Sequence, residues 1–83
     1  MKNFNLGMWT VQVDIIGDIS LEKYDFVCDG KRLVILTAME DFITFVKVGE
    51  KNNLILQRIP YYFQYKISHS DKVLTIKILD YIS

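Results

Sequence analysis

Strict alternation between apolar and polar side chains is the feature that most limits how this chain can fold. Trp9, Val11, Val13 and Ile15 fall on one side of an extended run, and Thr10, Gln12 and Asp14 fall on the other. Successive side chains of a strand point to opposite faces, so a period of two specifies a strand with one face buried. The run from Leu6 to Ile16 reads as the first strand, with Trp9 toward the core, and Gly17-Asp18 ends it.

The pattern recurs along the chain. Tyr24, Phe26 and Cys28 share a face, with Lys23, Asp25 and Val27 opposite, and Lys31 to Leu36 begins a return after Asp29-Gly30. Asp-Gly between two such runs predicts a hairpin with a type I′ turn, which needs positive φ at both central residues. After a boundary at Ala38 to Asp41, the run Phe42 to Val48 carries Phe42, Thr44, Val46 and Val48 against Ile43, Phe45 and Lys47. Both faces are partly apolar, which leaves its inward side open. A helix over Glu40 to Val48 is disfavoured by Ile43, Thr44, Phe45 and Val46, which are β-branched or aromatic. Leu21 to Lys23 offers at most one helical turn.

Gly49 to Asn53 is a polar loop leading to Leu54 to Ile59, which stops at Pro60 because proline cannot donate to a central ladder. Tyr61, Phe63, Tyr65 and Ile67 then share a face, His69 to Lys72 makes a polar turn, and Leu74, Ile76 and Ile78 alternate with Thr75 and Lys77. The expectation is an all-β domain over residues 1–83, with about seven antiparallel strands in a meander. It would form a small barrel, a curved sheet or a sandwich.

Composition removes several chemistries. At 51% hydrophobic residues the chain is too apolar for disorder. Ten basic and ten acidic residues cancel, so no global field gathers phosphate and nucleic-acid binding is not expected. The interleaving of Tyr61, Tyr62, Phe63 and Tyr65 with Lys66 fits a nucleic-acid surface in composition only. One cysteine, Cys28, allows neither an internal disulfide nor a thiolate metal cluster. The one imidazole, His69, lies in a polar turn beside Ser68 and Ser70, far from Cys28 in sequence. Glu40 and Asp41 are neighbours, which on a strand point apart and cannot share a substrate. The four glycines are isolated, so no phosphate loop exists. No catalytic centre, metal or cofactor is expected. The apolar runs are too short for a signal peptide or a membrane span. That places the chain in the cytoplasm as written, or outside it if a leader has been removed.

Three short motifs carry a family resemblance. Gly7-Met8-Trp9 resembles the Gly-x-Trp signature that opens lipocalin-type barrels, where the tryptophan closes the barrel floor. The segment Tyr24 to Lys31 is similar to the family's aromatic-x-Phe-x-x-Asp-Gly-Lys turn. Tyr65-Lys66-Ile67 with Leu74-Thr75-Ile76 is similar to its late hairpin. The chain thus resembles the small bacterial lipocalin-like domains, although it is shorter than their usual eight-stranded barrel. The resemblance implies a binding role and an up-and-down barrel, whose interior in so short a chain would be filled by Trp9, Phe26 and Tyr65.

The apolar surplus points to a non-enzymatic binding or interaction module. Ile43 and Phe45 compete with Phe42 and Val46 for one buried face, as Ile55 does with Leu54 and Leu56. Two-sided hydrophobicity in a small antiparallel sheet calls for a second layer, which another copy of the chain or a protein partner can supply. A homodimer is therefore expected, with Ile43, Phe45, Tyr61, Tyr62 and Phe63 at its interface. A second reading is a lipocalin-like carrier of a small apolar ligand, lined by Trp9, Val11, Tyr24, Phe26 and Tyr65. A third is a small phage or mobile-element protein that inhibits a host protein, in keeping with its Ile-, Lys- and Asn-rich usage.

Overall fold

The computed structural model describes residues 1–16, 24–37 and 43–79. The alternating runs become eight strands: β1 (Lys2–Leu6), β2 (Trp9–Ile16), β3 (Tyr24–Cys28), β4 (Arg32–Thr37), β5 (Thr44–Val48), β6 (Leu54–Gln57), β7 (Phe63–Ser68) and β8 (Val73–Leu79). The expected break at Gly17-Asp18, the single turn at Leu21 to Lys23, the boundary at Ala38 to Asp41 and Phe42 lie outside the described residues.

The strands form two four-stranded sheets, sheet A in the order β1-β2-β8-β7 and sheet B in the order β3-β4-β5-β6. The all-β, mostly antiparallel class holds, and the sheets form two layers without closing into a barrel. Sheet B is the expected meander. Sheet A departs from it, because β2 and β8 pair in parallel and so join the first hairpin to the last. The reason is shared burial. Val11 lies beside Leu74, Val13 beside Ile76 and Ile15 beside Ile78, so one register turns all six toward the core. Val11, Val13, Leu74, Ile76 and Ile78 have no more than 1% of their surface exposed.

Two turns differ from the sequence reading. The run Leu6 to Ile16 is not one strand, since Gly7 adopts φ +60° and reverses the chain between Leu6 and Trp9, which pair across a two-residue loop. That releases Lys2–Leu6 as a further strand, with Phe4 and Leu6 toward the core. The second turn is shifted by one residue from the expected type I′ arrangement. Only Gly30 has positive φ (+86°), and Asp29 N–H donates to the Arg32 carbonyl at 3.2 Å. Gly30 and Lys31 are therefore the central pair, with glycine at the position that takes positive φ. The Asp29 side chain accounts for the shift: its Oδ1 accepts the amides of Lys31 (2.9 Å) and Arg32 (2.8 Å).

One core draws on both sheets, with Leu6, Trp9, Val11, Val13, Leu74, Ile76, Ile78 and Phe63 from sheet A meeting Tyr24, Leu33, Ile35 and Val46 from sheet B. The open question over β5 resolves in favour of Thr44 and Val46 inward, leaving Ile43 and Phe45 outward. Among the described residues Thr44 is the buried polar residue of this core, and its hydroxyl donates to the Arg58 carbonyl at 2.7 Å.

This packing sets the cost of core truncation. Ile76→Ala removes a side chain that is 1% exposed, and should destabilise the protein by about 2–5 kcal/mol. Its neighbour Lys77 points outward, so Lys77→Ala should change stability by no more than about 0.5 kcal/mol. Thermal melts followed by circular dichroism check both, and equal losses would contradict the assigned faces.

Candidate interaction surface

The two sheets present unlike outer faces. That of sheet A is mainly polar, with Asn3, Asn5, Thr10, Gln12, Lys77, Gln64 and Lys66 alternating with the inward residues, while Val73 and the Ile16–Leu79 pair add apolar side chains at the strand ends. That of sheet B is largely apolar. A row of Val27, Val34 and Phe45 crosses three strands and ends at Gln57 on β6. Leu36 and Ile43 extend it to one side, and Ile55 to the other. Val27 is 57% exposed and Ile43 50%, while Phe45, Val34 and Leu36 are half-buried by their neighbours.

Charge frames this patch unevenly. Asp25 sits at one end of the strands, opposite Leu36. Arg32 and Lys47 sit side by side at the other end as direct cross-strand partners. The Arg32 guanidinium lies 5.8 Å from the centre of the Phe45 ring, a cation–π contact that holds the ring against the sheet. Asp29 is also at this end. The amides of Lys31 and then Arg32, followed by the Arg32 charge, hold its carboxyl below the usual aspartate value.

Trp9 closes the end of the molecule where several turns converge. It is 1% exposed, and its indole N–H donates to the Asn52 carbonyl at 2.7 Å. The His69 ring stands edge-on at 5.9 Å, and Lys72 Nζ lies 5.0 Å from the indole ring centre. The Gly7 amide donates to the Gly30 carbonyl at 2.9 Å, tying the first turn of sheet A to that of sheet B. Lys51 and Asn52 both adopt left-handed backbone (φ 56° and 61°) in the 3₁₀ turn Glu50–Asn52, which presents the Asn52 carbonyl to Trp9.

The expected interface residues fall in different places. Ile43 and Phe45 lie together on the outer face of sheet B. Tyr61, 87% exposed, and half-buried Tyr62 belong to the connection between β6 and β7, where Tyr61, Tyr62 and Phe63 stack edge to face. Phe63 itself is buried in the core against Tyr24. Of the expected ligand-lining residues, Trp9, Val11 and Tyr24 are buried core side chains, Phe26 is half-buried against Phe4, and Tyr65 is 52% exposed on the edge strand β7. A shallow, open depression over β7 and β8 is lined by Gln64, Tyr65, Lys66, Thr75 and Lys77, so it shares Tyr65 alone with that set.

Sequence reasoning missed Val27, Val34 and Leu36 as surface residues. The signal was present in Leu33-Val34-Ile35-Leu36, four consecutive apolar residues that make both faces of β4 apolar. Cys28 ends β3 with an exposed thiol whose Sγ lies 3.6 Å from the Asn5 carbonyl. Ser68 Oγ donates to Asp71 Oδ2 at 3.1 Å. Among the described residues no three His, Cys, Asp or Glu side chains are grouped to hold a metal ion, and no helix is long and apolar enough to cross a membrane.

Comparison with known proteins finds no matching family model, no matching curated protein and no matching solved structure. The lipocalin resemblance rests on the short motifs quoted above.

Two variants probe the turns. Asp29→Asn keeps a side-chain acceptor but does not titrate. A carboxyl lowered in the folded state contributes stability above its unfolded pKa, and that contribution is lost as pH falls through the lowered native value. Wild type should therefore lose melting temperature relative to Asp29→Asn as pH drops below the ordinary aspartate range, and parallel curves down to pH ~2 would contradict this. Lys51→Gly removes a Cβ from a left-handed position and should stabilise the protein by about 1 kcal/mol in chemical denaturation, whereas a loss would show that the Lys51 conformation is unstrained.

Proposed function

We propose that this protein is a non-enzymatic interaction module whose working surface is the outer face of sheet B. The observation that carries this reading is the apolar row Val27, Val34 and Phe45 with Leu36, Ile43 and Ile55, of which Val27, Ile43 and Ile55 are exposed and the others half-buried, on a sheet whose other face already serves the core. Contiguous exposed apolar surface is rare on a monomer and marks contact sites. Aromatic side chains gain most from such contact, and Phe45 is the aromatic member of the row, with the Arg32 guanidinium 5.8 Å from its ring centre.

The carrier reading draws less support, because Trp9, Val11 and Tyr24 are packed among other core side chains and would have to part to admit a ligand.

If the face is a binding surface, its side chains are dispensable for folding. The double variant Ile43→Ser, Phe45→Ser should retain the wild-type circular dichroism spectrum. Dilute, folded wild type should enhance the fluorescence of anilinonaphthalene sulfonate, a probe of accessible apolar surface, and the double variant should lose most of that signal. Equal dye signals in the two proteins, or loss of the fold in the variant, would remove this face as the working surface.

A further inference from the structure

We propose that the outer edge of β7 takes an extended acidic segment of a partner protein as a fifth, antiparallel strand of sheet A. This edge lies on the other sheet from the apolar face described above, and the proposal goes beyond the reading of that face.

β7 ends sheet A, and one bond fixes the direction of its backbone groups. Leu79 N–H donates to the Tyr62 carbonyl at 2.8 Å, in the register that sets Phe63 opposite Ile78. Bonded and non-bonded pairs alternate along an antiparallel ladder. Gln64, Lys66 and Ser68 therefore bond to β8, and Phe63, Tyr65 and Ile67 direct their N–H and C=O groups outward. The Phe63 amide donates to the Pro60 carbonyl at 3.0 Å. The amides and carbonyls of Tyr65 and Ile67 have no partner among the described residues. Gln64, Tyr65 and Lys66 are all exposed, so this stretch of edge stands open.

Donors and acceptors repeated at every second residue match another extended backbone, which is how strand addition gains affinity. The other edges are less open. β1 and β3 lie against each other, with Phe4 stacked on Phe26 at 5.4 Å and Cys28 Sγ 3.6 Å from the Asn5 carbonyl. β6 has four residues, and Arg58 (φ 54°) and Pro60 follow it.

Side chains select the occupant. On the outer face Lys66 is bordered by Gln64, Ser68, Val73, Thr75 and Lys77, none of them acidic. Asp14 is the cross-strand neighbour of Lys77 on β2, and Asp71 accepts the Ser68 hydroxyl at 3.1 Å in the turn. Lys66 itself has no ion pair among the described residues. The depression beside it, lined by Gln64, Tyr65, Lys66, Thr75 and Lys77, has a volume of about 230 Å³. That is below the range of drug-sized ligands and suits one side chain. A carboxylate opposite Lys66 on the added strand meets the amines of Lys66 and Lys77 there. On the inner face Tyr65 is 52% exposed and Ile67 half-buried, so apolar residues opposite them complete the pairing. The occupant is thus a strand that alternates apolar and acidic residues. A second copy of this chain does not offer one. The edge strands β1, β6 and β7 contain no acid, and β3, which has Asp25, meets β1.

The test titrates the full chain, isotope-labelled, with a blocked peptide alternating valine and glutamate and long enough to span β7. Amide shifts and hydrogen exchange are read by nuclear magnetic resonance. Shifts should centre on Tyr65, Lys66 and Ile67, and exchange of the Tyr65 and Ile67 amides should slow. N-methylation of the valines, whose amides face β7, should abolish binding. N-methylation of the glutamates, whose amides face away, should leave it. Lys66→Glu alters an exposed side chain and leaves the ladder intact, so the variant should fold as wild type. It should bind the glutamate peptide about fivefold more weakly and a valine–lysine peptide more tightly. No shifts up to millimolar peptide, shifts centred elsewhere, indifference to valine methylation, or a Lys66→Glu variant that treats both peptides like wild type would each overturn the proposal. Tyr65 and Ile67 amides that gain protection as protein concentration rises, without peptide, would overturn it in favour of a second copy.

Discussion

Every other feature of this molecule depends on the parallel pairing of β2 with β8. The two strands lie roughly sixty residues apart in the chain, and closing a loop of that length costs about 3.6 kcal/mol before any constant term. The six side chains that the register turns inward offset this, since burying a Val, Leu or Ile contributes roughly 1.5–3 kcal/mol each. Parallel strands depend on burial, and here the pair occupies the centre of its sheet, flanked on both sides by the hairpin partners β1 and β7. Without it the first and last hairpins would be separate two-stranded units, which are marginal in water.

With sheet A assembled from the two ends of the chain, sheet B is supplied by the middle, and the connections are held by a repeated backbone device. Three residues other than glycine take left-handed backbone and present a carbonyl to a donor on another element: Asn52 to the Trp9 indole, Arg58 to the Thr44 hydroxyl, and Lys72 to the Thr10 amide. Left-handed backbone is unfavourable for a side chain such as Arg or Lys. It is offset here because each carbonyl satisfies a donor on another element, and leaving a donor unsatisfied inside a protein is costly. Among the described residues no buried side-chain nitrogen or oxygen lacks a partner.

The difference between the outer faces follows from the same arrangement. The strands of sheet A alternate through their middle stretches, so turning their apolar positions inward leaves mainly Asn, Gln, Thr and Lys outside, with Ile16, Val73 and Leu79 at the strand ends. β4 has no polar alternate between Leu33 and Leu36, and β5 has Phe45 where a polar residue would complete the pattern. Once Leu33, Ile35 and Val46 are committed to the core, Val34, Leu36 and Phe45 have only the outer face. The surface proposed for binding is thus what remains of a strand pair that is apolar on both sides.

The strands and their inward faces were legible wherever alternation was strict: Trp9 and Val11 point inward as their period of two requires, and Val73–Leu79 forms one strand with Leu74, Ile76 and Ile78 buried. Turn chemistry was legible to within a residue. Asp29-Gly30 marks a hairpin, but its register depends on which amides the Asp29 carboxylate captures, and Gly7 read inside a continuous run is in fact a reversal. The sequence by itself determined the local extended segments, because side-chain period and backbone sterics act over a few residues. Only the tertiary structure decided that β2 meets β8 in parallel, that Phe45 faces out while Val46 faces in, and that Asp25 and the Arg32–Lys47 pair bound one apolar face from opposite ends. Those outcomes depend on which distant segments share a buried face, and no periodicity within a single segment carries that information.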